Sequence, residues 1–128
     1  MVTIKPFTPR EIGPKPWGTE LLIAQTDSYI GKVLIMKSGH RGGLQYHERK
    51  DETFYLYSGE AWVYYDGGDG EITRTLMRPG MSFHVPPGAV HQVEAVSDCV
   101  FFEASNPVFD DRVNVGERYG RPDTGESR

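Results

Sequence analysis

The chain has 128 residues, of which 14 are basic and 18 acidic, for a formal net charge of −4. That length holds one domain with a real core and excludes two ordinary globular units. The basic residues are scattered singly, so no field attracts a nucleic-acid backbone or an anionic membrane, and a small-molecule partner is expected.

Cys99 is the only cysteine, which excludes an internal disulfide and a thiolate metal cluster; beside Val100-Phe101-Phe102 it reads as a small buried hydrophobe. Met1 to Arg10 has no signal-like apolar stretch, and no run approaches the roughly 18 residues that span a bilayer, so a cytoplasmic location is expected.

Short runs rich in Val, Ile, Tyr and Phe recur between Gly, Pro, Asp and Ser clusters, which predicts an all-β chain of eight to ten strands. The first two, Glu20 to Gln25 and Tyr29 to Lys37, flank the turn Thr26-Asp27-Ser28, and a third lies near Leu44 to Glu48. Thr53 to Tyr57 and Ala61 to Tyr65 flank Ser58-Gly59-Glu60, the clearest hairpin. After the glycine-rich turn at 66–70 come Glu71 to Met77, Ser82 to Val85, Ala89 to Ala95 and Val100 to Ala104. The segment 110–115 reads as a short helix or a strap. Residues 1–13 are expected to form an N-terminal arm, 14–121 a single domain, and 122–128 a loose polar tail. Many short antiparallel strands predict a sandwich or small barrel, a jelly roll being the form that removes exposed edges.

Gln45 and His47 stand two apart in a strand-like segment and so share a face, and Glu52 follows across the polar corner Arg49-Lys50-Asp51. His91 follows the rigid turn Pro86-Pro87-Gly88 and brings a fourth donor from a distant part of the chain. Two imidazoles, a carboxylate and an amide oxygen suit one borderline divalent cation: zinc first, with manganese, iron, cobalt or nickel as alternatives. His40 and His84 lack this spacing and are assigned to structure or surface.

These residues resemble the cupin superfamily, whose first motif is Gly, five residues, His, one, His, four, Glu, six, Gly. Gly39, Gln45, His47, Glu52 and Gly59 match every spacing, with Gln in place of the first His. Gly80, Pro86, Gly88 and His91 match the second motif, whose trailing Asn is replaced by Ala95. The resemblance implies an all-β cupin jelly-roll barrel (double-stranded β-helix) with one bound metal.

The Gln-His-Glu-His set is similar to that of phosphomannose isomerases, in particular the type II domain of bifunctional isomerase–guanylyltransferases. Lys15-Pro16-Trp17-Gly18, Leu44-Gln45-Tyr46-His47 and Glu117-Arg118-Tyr119-Gly120-Arg121 extend the likeness across residues 14–121. The family's His-rich stretch is here His47-Glu48-Arg49-Lys50, and the nucleotidyltransferase domain is missing, so no guanylyl transfer is expected.

The implied chemistry is aldose–ketose isomerisation of a sugar or sugar phosphate. Glu103, at the end of an apolar strand, is the candidate base. Arg41 and Arg49 share strand parity with Gln45 and His47 and are candidates to hold a substrate phosphate or carboxylate. Trp17, Tyr46, Tyr55 and Phe83 are candidates to line a sugar pocket. Two other readings share the barrel: a metal-dependent dioxygenase, favoured by a more apolar pocket, and a non-catalytic sugar-binding cupin. The resemblance also implies a homodimer, with Met1 to Glu11 as the contributing segment.

Overall fold

The computed structural model of the protein describes residues 1–121; the tail expected over 122–128 lies outside the described residues. Eleven strands follow in chain order: β1 (Arg10–Glu11), β2 (Gly18–Gln25), β3 (Ile30–Met36), β4 (Gln45–His47), β5 (Glu52–Ser58) and β6 (Ala61–Asp66), then β7 (Ile72–Met77), β8 (Ser82–Val85), β9 (His91–Ala95), β10 (Cys99–Ser105) and β11 (Arg112–Asn114). A 3-10 turn at Gly116–Tyr119 follows.

The strands form two antiparallel sheets. Sheet A runs β1-β2-β3-β10-β5-β8, and sheet B runs β11-β4-β9-β6-β7. Strict alternation in β5 and β10 sends Phe54, Leu56, Cys99 and Phe101 inward, because successive side chains leave a strand on opposite faces. They meet Val63, Met77 and Ala95 from sheet B in one core. Phe54 sits edge-on to Phe101 at 5.9 Å between ring centroids and stacks on Phe83 at 6.0 Å. Each such buried side chain contributes about 1.5–3 kcal/mol through area removed from water.

Ser58-Gly59-Glu60, expected to close a hairpin, is instead a crossing between the sheets: β5 lies in A, β6 in B, and the two strands do not pair with each other. Gly59 has φ 89°, and a Cβ there would stand 2.2 Å from the Asp98 carbonyl oxygen, so only glycine fits.

Two strands differ from the sequence expectation. β1 pairs with β2 through Arg10↔Leu22, so the expected arm ends in a short edge strand, and residues 1–9 are irregular. β11 pairs with β4 through Val113↔Tyr46, so the segment after Pro107 is a strap followed by a 3-10 turn. Both are two or three residues long, too short for alternation to show; β1 is defined by pairing with the next strand and β11 by pairing with a strand far away in sequence.

Candidate metal centre

The chain crosses from sheet B to sheet A at residues 48–51, so His47 and Glu52 approach one interior from opposite walls. Several hydrogen bonds fix this corner. Asp111 Oδ2 accepts from the backbone N–H groups of Arg49 and Lys50, the Asp51 N–H donates to Asn106 Oδ1 at 3.1 Å, and Asn106 Nδ2 donates to the Arg49 carbonyl at 3.0 Å. A second crossing, Pro86-Pro87-Gly88, returns the chain to sheet B. The Gly88 N–H donates to the His47 carbonyl at 2.8 Å and so ties the two ligand-bearing segments together. Antiparallel pairing then places Gln45 opposite His91.

His47, Glu52 and His91 are all buried, and one donor atom from each lies within 4.8 Å of the others. Both imidazoles turn Nε2 toward Glu52 Oε1, at 3.7 Å from His47 and 3.6 Å from His91. The His91 Nδ1 lies 2.9 Å from the Ala89 carbonyl, which can only accept. That nitrogen therefore carries the proton, and the Nε2 lone pair faces the cluster.

His47 Nδ1 lies 3.3 Å from Asp111 Oδ1, an ion-pair contact off the hydrogen-bond direction that sets a carboxylate behind the imidazole, the place from which such a group can orient a ligating ring. Burial first, then the charge of Lys50 and the neighbouring His91, outweigh Asp111 and Glu103 and lower the His47 pKa to about 4. The ring is neutral near pH 7, the state a metal requires. Burial opposes ionisation of Asp111, yet the two backbone N–H groups and His47 hold its pKa below the ordinary carboxylate value.

The donor set fits a divalent cation. Gln45 Oε1 is buried with no hydrogen-bond partner among the described residues, and Gln45 lines the same cavity. An orphaned amide oxygen in such a place costs about 1–3 kcal/mol unless something accepts it, and a cation would do so. The cavity has a volume of about 310 Å³. Trp17, Leu34, Met36, Phe54, Val93 and Phe101 make much of its wall, and Glu20, Lys32, Lys50 and Glu103 line it beside the ligand cluster.

Glu103 is buried on this wall, and the Lys50 ammonium donates to its Oε2 at 2.9 Å. The same ammonium lies 2.9 Å from Glu52 Oε2, off the ideal hydrogen-bond direction but in ion-pair contact. Burial alone would lower the Lys50 pKa; Glu103 and Glu52 outweigh it and hold the group well above the ordinary lysine range. Lys32 extends the row, 4.0 Å from Glu103 and 3.5 Å from Glu20. The interior face of sheet A thus carries a chain of alternating charges that ends at the ligand cluster.

Arg41 and Arg49 are placed elsewhere. Gly42-Gly43 interrupts the extended chain, so the parity of Gln45 does not carry back to Arg41, whose backbone forms an isolated β-bridge with that of Glu94. Arg49 is exposed on the corner beyond β4. The cations that line the cavity are Lys15, Lys32, Lys50 and Arg112.

Of the four candidate aromatics, Trp17 lines the cavity and Phe83 packs on Phe54. Tyr55 faces outward, stacked on Phe102, and Tyr46 lies on a shallow depression away from the cavity. His84 is exposed and pairs with Asp51 at 2.7 Å.

Lys50 and Asp111 are the site residues that ligand spacing did not single out. Lys50 shares parity with Glu52, a signal that was present in the sequence. Asp111 reaches the site only through the long-range β11–β4 pairing.

A two-sheet barrel with a His-Glu-His cluster in its interior defines a cupin. The cupin domain family matches residues 32–104, more than half of the chain, and the chain belongs to that family.

Among solved structures it is similar to the capsular polysaccharide assembling protein CapF from Staphylococcus aureus, with a TM-score of 0.72 and 23% identity over 85% of this chain and 34% of CapF. It therefore spans about a third of the length of CapF. It is similar to KdgF from Halomonas sp., with a TM-score of 0.69 and 22% identity over 80% of this chain and 91% of KdgF. Oxalate decarboxylase from Bacillus subtilis, a protein with Mn(II) centres, matches with a TM-score of 0.69 and 19% identity over 84% of this chain and 30% of that one. At these identities the likeness is one of fold. No curated protein sequence matches. Among the described residues no helix is long and apolar enough to cross a membrane.

Proposed function

We propose that the chain is a metal-dependent isomerase that moves a proton between adjacent carbons of a small hydroxy-carbonyl compound, a sugar or sugar phosphate. Gln45, His47, Glu52 and His91 would hold one divalent cation, zinc first among the candidates. Bound there, it would polarise the carbonyl and hydroxyl oxygens as a Lewis acid.

The observation that carries this reading is the buried Glu103 carboxylate on the same cavity wall, joined to the ligand Glu52 through Lys50. Glu103 takes the proton from one carbon and returns it to its neighbour, the role of a general base that becomes the acid. The Lys50 ammonium fixes Glu103 Oε2, and Trp17 offers an aromatic face to a sugar ring. Lys15 and Arg112 also lie on the lining, the Arg112 guanidinium held by Asp110 at 2.8 Å. The Gln-containing ligand set, similar to that of phosphomannose isomerases, and the polysaccharide context in the name of CapF support a carbohydrate substrate.

The apolar stretch Leu34, Met36, Val93 and Phe101 favours a second reading, oxidative chemistry on a less polar substrate. Metal-loaded protein incubated with aldose and ketose phosphates in deuterated water distinguishes them. Isomerisation places solvent deuterium at carbon 1 or 2, and Glu103→Gln abolishes it. Oxygen consumption without deuterium incorporation rejects the isomerase.

A further inference from the structure

Lys32 points inward from β3, directly opposite Glu103 on β10, and lines the cavity. It is only 4% exposed, a buried ammonium with three donors to satisfy. Its carboxylate contacts are loose. Glu20 Oε1 stands at 3.5 Å and Glu103 Oε2 at 4.0 Å, against the 2.9 Å hydrogen bond by which Lys50 holds the same Glu103 oxygen. A further side of the ammonium faces the ring of Phe109, 5.6 Å from its centroid. The pairing of β2 with β3 sets Glu20 diagonally beside Lys32 on the inner face. Among the described residues, neither the Lys32 ammonium nor the Glu20 carboxylate makes a hydrogen bond.

We propose that Lys32 and Glu20 form a second binding subsite in the cavity, one that takes the neutral hydroxyl groups of a sugar and rejects a phosphate. A hydroxyl both donates and accepts. It therefore fits between a cation and an anion, accepting from Lys32 and donating to Glu20, and two adjacent hydroxyls of a sugar engage both at once. Buried polar groups without hydrogen bonds are costly, and such a ligand satisfies two of them together.

Charge decides against a phosphate. Glu20 and Glu103 balance Lys32 and Lys50 once Glu52 is assigned to the metal, and a hydroxyl keeps that balance. A phosphate on Lys32 brings about −1.5 to −2 charges up to Glu20 and Glu103, and like charges repel strongly in a low-dielectric interior. Elsewhere on the lining, Arg112 is engaged by Asp110 at 2.8 Å.

Contacts of 4.0, 2.9 and 2.9 Å lead from Lys32 through Glu103 and Lys50 to Glu52, so one hexose reaches from the ligand cluster to the Lys32 ammonium. Trp17 and Phe109 border the same cavity and offer aromatic faces to the C–H side of the ring. The subsite rests on the carbohydrate reading of the cavity and is independent of turnover.

Saturation-transfer NMR titration of the metal-loaded full chain with D-mannose, D-glucose, D-fructose and D-xylose, each beside its terminal phosphate, tests this. At least one neutral sugar is expected to bind about tenfold or more tightly than its phosphate. Lys32→Met weakens that sugar at least about tenfold, with metal affinity by calorimetry unchanged. Phosphates that bind as tightly as their neutral partners overturn the subsite. So does a panel in which no neutral sugar binds, or a folded Lys32→Met chain that binds like the wild type. Should Lys32→Met not fold, Glu20→Gln replaces it, since it keeps the size and an acceptor but removes one charge. The preference for the neutral sugar then falls several-fold, and an unchanged preference overturns the subsite. Solvent deuterium scores the isomerase reading separately. Deuterium entering only the phosphates supports the isomerase and overturns the subsite, whereas neutral sugars that bind without acquiring deuterium support the subsite and overturn the isomerase.

Discussion

Lys50 Nζ and Glu52 Oε2 lie 2.9 Å apart inside the barrel, and the same ammonium holds Glu103 Oε2 at 2.9 Å. One cation therefore compensates two buried carboxylates, one a proposed metal ligand and the other the proposed base. Lys50→Met leaves Glu52 without its ammonium and Glu103 with only Lys32 at 4.0 Å, a loss of roughly 3–5 kcal/mol in a buried site. Lys50→Met with Glu103→Gln loses less, because one of the stranded charges is gone. Urea unfolding of the two variants measures the difference, and a single variant as stable as the wild type would remove this role from Lys50.

The acid response of the metal-free protein follows from His47. Its folded pKa is lowered to about 4 from the ordinary 6.5. Between those values the unfolded chain binds a proton at this ring that the folded chain does not. Stability therefore falls as pH falls through that interval, by roughly 3 kcal/mol in all, and this ring adds no pH dependence above it. Urea unfolding in chelator across the interval shows the slope, and His47→Gln flattens it.

Divalent metal stabilises the folded state by mass action, by about 2.7 kcal/mol at a hundredfold excess over Kd. Zinc or manganese therefore raises the melting temperature, and His91→Ala abolishes the rise. Asp111→Ala leaves the ligands in place but removes the carboxylate behind His47. Calorimetric titration is expected to show metal affinity weakened about 10–100-fold. Unchanged affinity would mean that Asp111 orients nothing.

Gly59→Ala tests the crossing between the sheets. The alanine must adopt φ 89° and place its Cβ against the Asp98 carbonyl. The backbone conformation alone costs about 1–3 kcal/mol and the contact adds to it. A urea midpoint within error of the wild type would contradict the geometry.

Much of the site was legible because its spacing is written locally. Gly39 to Gly59 and Gly80 to His91 set turns and ligands at fixed intervals, and His47, Glu52 and His91 converge as that spacing implies. Strands such as β5 and β10 were legible because burial alternates with a period of two.

What escaped was set by distance along the chain. β11 exists through a partner far away in sequence, and Asp111 enters the site with it, while β1 is only two residues long and shows no alternation. Parity misplaced Arg41 because it assumes an unbroken strand, and Gly42-Gly43 breaks it. Ligand spacing names no substrate, because what a bound molecule meets is the cavity wall around Glu103, which is assembled from several strands and which spacing does not encode.

Gln45, His47 and His91 belong to one wall of the barrel and Glu52 to the other. An ion seated among them would rivet the seam where β4 gives way to β5, and its binding and the architecture would then share one fate. Stripping it slackens the joint, and backbone amides along that seam trade hydrogen for solvent deuterium sooner than those in the far half of either sheet.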